Sequence, residues 1–161
     1  MTLTDESDRE IVISRLIEGP RPIVFRAYSD VEHLSQWWGP DGFTTSTHSF
    51  DFRVGGAWDF IMHGPDGTDF PNFVEWLEIT PPERLVIRHG ERPDDPDAFT
   101  QSIAFEEAPG GTLVTMRAVF PTKERLDLVV REFGAIEGGH QHLARFNDYI
   151  RSIATGTASG R

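Results

Sequence analysis

The stretch AWDFIMHGPDGTDFPNFVEWLEITPPERLVIRHG, residues 57–90, decides the fold. It holds three runs rich in β-branched and aromatic residues, at 57–62, 70–79 and 84–90, cut apart by Gly64-Pro65-Asp66-Gly67 and by Thr80-Pro81-Pro82. Runs of this length between clusters of turn formers read as antiparallel strands joined by short connections. The same texture continues on both sides, with strands predicted at 43–53, 99–107 and 112–120. Turns fall at Val54-Gly55-Gly56, at Arg92–Asp97 and at Pro109-Gly110-Gly111.

Outside this six-stranded meander the period changes. EIVISRLIE (Glu10–Glu18) predicts a seventh strand, with charges that suit an edge, ending at Gly19-Pro20. Pro22 suits the first turn of a helix carrying Val24, Phe25 and Tyr28, and Ser29-Asp30 offers the cap of a second short helix over Val31–Trp37. After Pro121-Thr122, the residues Leu126, Val129, Val130 and Phe133 recur at helical steps up to Gly134. A long helix is then predicted from about Ile136 to Ile153, its apolar face carrying Ile136, His140, Leu143, Phe146, Ile150 and Ile153, with GTASGR as a frayed tail. The expected class is α+β, one domain over residues 1–161 with its core at about 9–153. A curved antiparallel sheet of about seven strands wraps the long C-terminal helix, the one element long enough to cover the concave face.

Composition excludes several function classes. The chain has 161 residues, 38% of them hydrophobic, and no cysteine, so disulfides, thiolate metal sites, iron–sulfur clusters and a cysteine nucleophile are out. A formal net charge of −11 opposes binding to nucleic acid and gives no basic amphipathic anchor for a membrane. No apolar run approaches the ~20 residues needed to cross a bilayer, and MTLTDESDREIVISR begins acidic rather than as a signal peptide does. A cytoplasmic protein is expected.

A sheet that grips a helix leaves a space between them, filled by side chains or open to a ligand. The candidate lining is aromatic and thioether-rich. Trp58, Phe60 and Met62 alternate on one strand and Val114, Met116, Ala118 and Phe120 on another, joined by Trp37, Trp38, Phe43, Trp76, Phe105, Phe133 and Phe146. His140, beside Leu143 and Phe146 on the predicted apolar face, is a candidate hydrogen-bonding group for a ligand or for a backbone carbonyl. Trp37 and Trp38 end the second helix at the expected mouth, one plugging the core and the other at the entrance or on a partner-binding patch.

Other constellations yield no chemistry. Of the six histidines only His140 and His142 lie close in sequence, and two residues apart on a helix they project about 200° apart, so no metal is expected. His63 ends its strand and is expected at the surface. Asp59, Glu75, Glu78, Arg88, Gln101, Glu106 and Arg117 fall on strands, mostly on the solvated face. Glu78 and Arg117 could share the apolar face, as a structural ion pair rather than a catalytic dyad. The glycine-rich turns precede no helix and so cannot cradle phosphate, and no nucleophile-elbow serine occurs. No cofactor is expected.

Four stretches carry a family resemblance: ISRLIEGPRPIVFRAYSDVEHLSQWWGPDGFT (13–44), RVGGAWDFIMHGPDG (53–67), EITPPERLVI (78–87) and AIEGGHQHLARFNDYI (135–150). Together they resemble bacterial relatives of the activator of Hsp90 ATPase C-terminal domain, within the START-like or SRPBCC helix-grip superfamily, from about Arg9 to Ile153. The resemblance implies a deep, largely apolar cavity between sheet and terminal helix. It leaves activity open, because the superfamily includes lipid-transfer domains, hormone and allergen-type binders, polyketide aromatases and cyclases, and the co-chaperone domain itself. The eukaryotic co-chaperone carries an additional Hsp90-binding domain for which this pattern leaves no room.

The leading expectation is binding of a small apolar or amphipathic molecule, without catalysis. The alternatives are a polyketide-cyclase-like enzyme using polar groups such as His140, Glu78 or Arg117, and a stress-related interaction protein with a chaperone partner of the Hsp90 type. The edge strand leaves a homodimer and a monomer blunted by its own charges as open alternatives.

Overall fold

The computed structural model describes residues 7–154. A 3-10 turn at Ser7–Arg9 leads into β1 (Glu10–Ile17), α1 (Arg21–Ser29) and α2 (Val31–Trp37). The meander follows as β2 (Thr44–Phe50), β3 (Ala57–His63), β4 (Asp69–Thr80), β5 (Arg84–Gly90), β6 (Phe99–Ala108) and β7 (Gly111–Val119). The chain then turns into α3 (Lys123–Phe133) and α4 (Ala135–Ala154). All seven strands form one antiparallel sheet in the order β1-β7-β6-β5-β4-β3-β2, so β1 is an edge, as its charges foretold.

Local chemistry sets the boundaries. The Asp30 side chain accepts from the Glu32 N–H and caps α2, while Pro22 occupies the first turn of α1. Thr122 accepts from the Arg125 N–H and starts α3 three residues before its first apolar position, and Gly134 ends it with φ 61°. Gly111, at φ 154° in the β6–β7 turn, lies so close to β1 that a Cβ there would stand 2.1 Å from the Ile17 carbonyl oxygen. Only glycine allows that approach.

Alternation buries one face of the sheet: Trp58 and Phe60, Val74 and Trp76, Leu85 and Ile87, Ile103 and Phe105, Val114 and Met116. Against this face pack Val24, Phe25 and Tyr28 of α1, Leu34 and Trp37 of α2, and Leu143, Phe146 and Ile150 of α4. Each fully buried aliphatic or aromatic side chain contributes roughly 1.5–3 kcal/mol of transfer free energy. Asn147 docks α4 to the end of β1, accepting from the Glu18 N–H at 2.8 Å and donating to the Glu18 carboxylate at 2.9 Å.

Two expectations need correction. Glu78 and Arg117 do not pair: Glu78 meets Arg84 at 3.4 Å and Arg117 meets Glu10 at 2.6 Å, both partly solvated. A bulge between Trp76 and Glu78 breaks the alternation on which the shared-face reading rested. The apolar face of α4 also differs: Ile136 is 45% exposed and His140 is exposed, while His142 is buried. The helix is covered on the flank where α2 delivers its tryptophans, and Trp37 and Trp38 enclose His142 with ring centroids 4.9 and 4.6 Å away.

Candidate functional site

The C-terminal half of α4 is pressed onto the sheet, whereas its N-terminal half, with α3, stands over open space. Three adjoining spaces lie there, of about 330, 340 and 170 Å³, and Phe99 of β6 borders all of them. The outer lobe runs from Phe43, Met62 and Phe70 past His89 to Phe120, Val129 and Phe133. The inner lobe lies under α4, between Trp38, Gly39, His89, Gln101, Met116, Gly138, Gly139 and His142. The smallest reaches β1 at Ile11 and Ile13. Small residues hold the space open: Gly138 presents no side chain, and a Cβ on Gly139 would stand 2.4 Å from Ile13 Cδ1.

Two histidines are held neutral in these walls. The Gly39 N–H donates to His142 Nδ1 at 3.1 Å, which leaves the proton on Nε2, 3.4 Å from the Tyr28 oxygen. The Tyr28 hydroxyl in turn donates to Met116 Sδ at 3.6 Å. Burial holds the His142 imidazole down to about 3, helped by the proximity of His89 and Arg145, and the same burial pushes the Tyr28 hydroxyl up. Arg145 fixes the adjoining loop by donating Nη1–H to the carbonyls of Trp38, Gly39 and Pro40 at 3.3, 3.0 and 2.7 Å.

His89 continues the inward alternation of Leu85 and Ile87 on β5. Burial lowers its pKa to about 4. Asn72 of β4 gives its amide N–H to the Phe70 carbonyl at 2.9 Å, so its Oδ1 faces His89 Nε2, 2.7 Å away, and must accept. The neutral ring therefore carries its proton on Nε2. At the polar end of the outer lobe Asp95 is buried and accepts from the Glu91 and Asp97 N–H groups at 2.8 and 2.9 Å. Its burial opposes ionisation, but these bonds and the charges of Arg92 and Arg125 win and hold its carboxyl below the usual range.

Of the candidate lining residues, Trp38, Phe43, Met62, Met116, Phe120 and Phe133 border the lobes, Phe133 at the rim with 65% exposure. Six others are sealed in the core. Trp37 stacks on Phe146 at 4.2 Å, Trp58 on Phe60 at 3.7 Å, Phe105 packs edge-on to Phe25, and Trp76 lies against Phe52. His140 points away from all three spaces, and both tryptophans of the pair are buried, neither forming an exposed patch. His63 is partly solvated, between Ser46 and Asp69.

The sequence reasoning missed His89, Asn72, Gln101 and His142. For the first three the signal was present: the alternation that buries Leu85 and Ile87, Val74 and Trp76, and Ile103 and Phe105 puts them on the inward face. Gln101 thus corrects its assignment to the solvated side. Among the described residues no group of three metal-ligating side chains comes together, and no helix is long and apolar enough to cross a membrane.

An antiparallel sheet gripping a C-terminal helix, with a recess beneath it, defines a helix-grip protein of the START-like class. The chain belongs to the family of Activator of Hsp90 ATPase homolog 1-like proteins, whose model matches residues 18–151. A crystal structure of a protein from Nitrosomonas europaea is similar, with 25% identity and TM-score 0.83 over 92% of this chain and 98% of that one. A solution structure from Arthrobacter aurescens shares 22% identity with TM-score 0.83, over 92% and 90% of the two chains. An AHSA1-like protein from Aeromonas hydrophila shares 22% identity with TM-score 0.70, over 90% and 94%. No curated protein matches the chain.

Proposed function

We propose that the protein binds a small, mainly apolar molecule in the joined lobes beneath α3 and the first half of α4, without covalent chemistry. The observation that carries this reading is the space itself, two lobes of about 330 and 340 Å³ lined by Phe43, Met62, Phe99, Met116, Phe120 and Val129, in the size range of small-molecule sites. Family membership supports the same reading at a coarser level, a ligand-binding or co-chaperone-like fold. A cytoplasmic setting belongs to the proposal. The test is titration with the uncharged fluorescent probe 1-aminoanthracene. Saturable enhancement at one site per chain, lost when Met116→Trp fills the inner lobe, is the expected result. Enhancement untouched by Met116→Trp, in a variant that still unfolds cooperatively, overturns it.

One observation favours a cyclase-like enzyme: His89, Gln101 and His142 border the inner lobe, and Asn72 supports His89 from the outer one. Binding is the better reading on proton chemistry. With its pKa lowered to about 4, His89 is a weak base near neutral pH, and both nitrogens of His142 are engaged.

A further inference from the structure

Among the described residues, His89 Nδ1 is an acceptor with no partner, on a ring that borders both large lobes. The ring cannot turn over to offer a donor without breaking the relay in which His89 Nε2–H donates to Asn72 Oδ1 and an Asn72 amide N–H donates to the Phe70 carbonyl. His89 is half-buried and its Nδ1 opens to the space, so a ligand that covers it without a donor leaves an acceptor unmade, at a cost of about 1–3 kcal/mol that a ligand supplying a proton donor avoids. Charge narrows the choice further. Of the charged residues that line the outer lobe, Glu91, Asp95 and Asp97 are acidic and Arg125 basic, with Arg88 and Arg92 set behind Asp95, and in a chain of net charge −11 this disfavours an anion.

We infer that the ligand is an uncharged, mainly apolar molecule bearing a hydroxyl whose O–H donates to His89 Nδ1. This rests on the binding reading above. One feature opposes it: Arg125 Nε is buried without a partner at the same end of the outer lobe and would suit a carboxylate.

The experiment displaces 1-aminoanthracene from the whole chain with three compounds of one shape: 2-naphthol, 2-methylnaphthalene and 2-naphthoate. Wild type is expected to prefer 2-naphthol to 2-methylnaphthalene by about 3- to 10-fold, the worth of one net hydrogen bond, and to bind 2-naphthoate most weakly. The double variant His89→Leu, Asn72→Leu removes the ring acceptor together with the Asn72 oxygen, which would otherwise be freed to accept in its place. It is expected to abolish the naphthol preference while leaving 2-methylnaphthalene within about 2-fold of wild type, by the same hydrogen-bond arithmetic. Equal affinity of wild type for naphthol and methylnaphthalene overturns the inference and leaves the cavity reading standing. So does a naphthol preference that survives in the double variant His89→Leu, Asn72→Leu. Tightest binding of 2-naphthoate assigns the polar end to Arg125 and also overturns it. Failure of all three compounds and of the probe to bind wild type sinks the cavity reading and this inference with it.

Discussion

The two halves of α4 face the same sheet and do opposite things. From Leu143 to Ile150 the helix is driven into an aromatic cluster in which Tyr28, Trp37, Phe105 and Phe146 interlock at ring distances of 4.2–5.8 Å. From Ala135 to His142 it presents Gly138, Gly139 and a neutral imidazole to open space. Large aromatic residues thus mark where this protein is closed, and glycines and buried polar groups mark where it is open. An aromatic-rich face fills its own volume; a cavity needs residues that decline to fill it.

The contrast breaks most directly at Phe146. Phe146→Ala removes a fully buried ring from the closed half and is expected to cost about 3–5 kcal/mol in urea unfolding. A loss below about 1 kcal/mol would mean that the closed half is not close-packed.

His142, at the boundary of the halves, gives the next largest effect. Its pKa is lowered from 6.5 to about 3 in the fold, so above the ordinary value both folded and unfolded chains are neutral there. As pH falls below 6.5 the unfolded chain takes up a proton that the fold refuses, and stability drops until the folded value is passed. Between pH 6.5 and 5 this group alone accounts for about 2 kcal/mol. His142→Gln is expected to flatten the slope of unfolding free energy against pH by that amount, whatever it does to the level at pH 7. An unchanged slope would place His142 in contact with water.

The open half should answer in the other direction. Gly138→Leu puts a good helix former where a Cβ meets only Pro40, at 3.7 Å, and is expected to raise stability by about 0.5–1 kcal/mol while displacing 1-aminoanthracene from the inner lobe. Stabilisation without loss of probe binding would show that the ligand does not use that lobe. The smallest effect belongs to Phe133→Ala at the rim. It is expected to leave stability within about 0.5 kcal/mol and to weaken the probe, because this exposed ring borders both large lobes.

Much of the fold could be read without coordinates. The strands of the meander fall within two or three residues of the predicted ones because their ends are written in Gly, Pro and Asp, and β1 was legible as an edge from its charges. The site was read less well. The lining was gathered mainly on size and aromaticity, which do not distinguish a wall from a plug. The choice of His140 over His142 shows the limit on a helix. Leu143, Phe146 and Ile150 define a buried stripe, but which flank is also covered depends on where α2 lies, and periodicity within α4 carries no information about another helix.

What the sequence determined by itself is local: element order, the edge position of β1, the cap at Asp30, and the family. These follow from short-range preferences of chain and side chain, encoded within a few residues. Only the tertiary structure decided that half of α4 is sealed and half is hollow, and that His89 rests on Asn72 with one nitrogen unclaimed. Both depend on which side chains meet across strands and helices distant in sequence, and on the volume left over once they have met, a property of the packed whole that no single stretch contains.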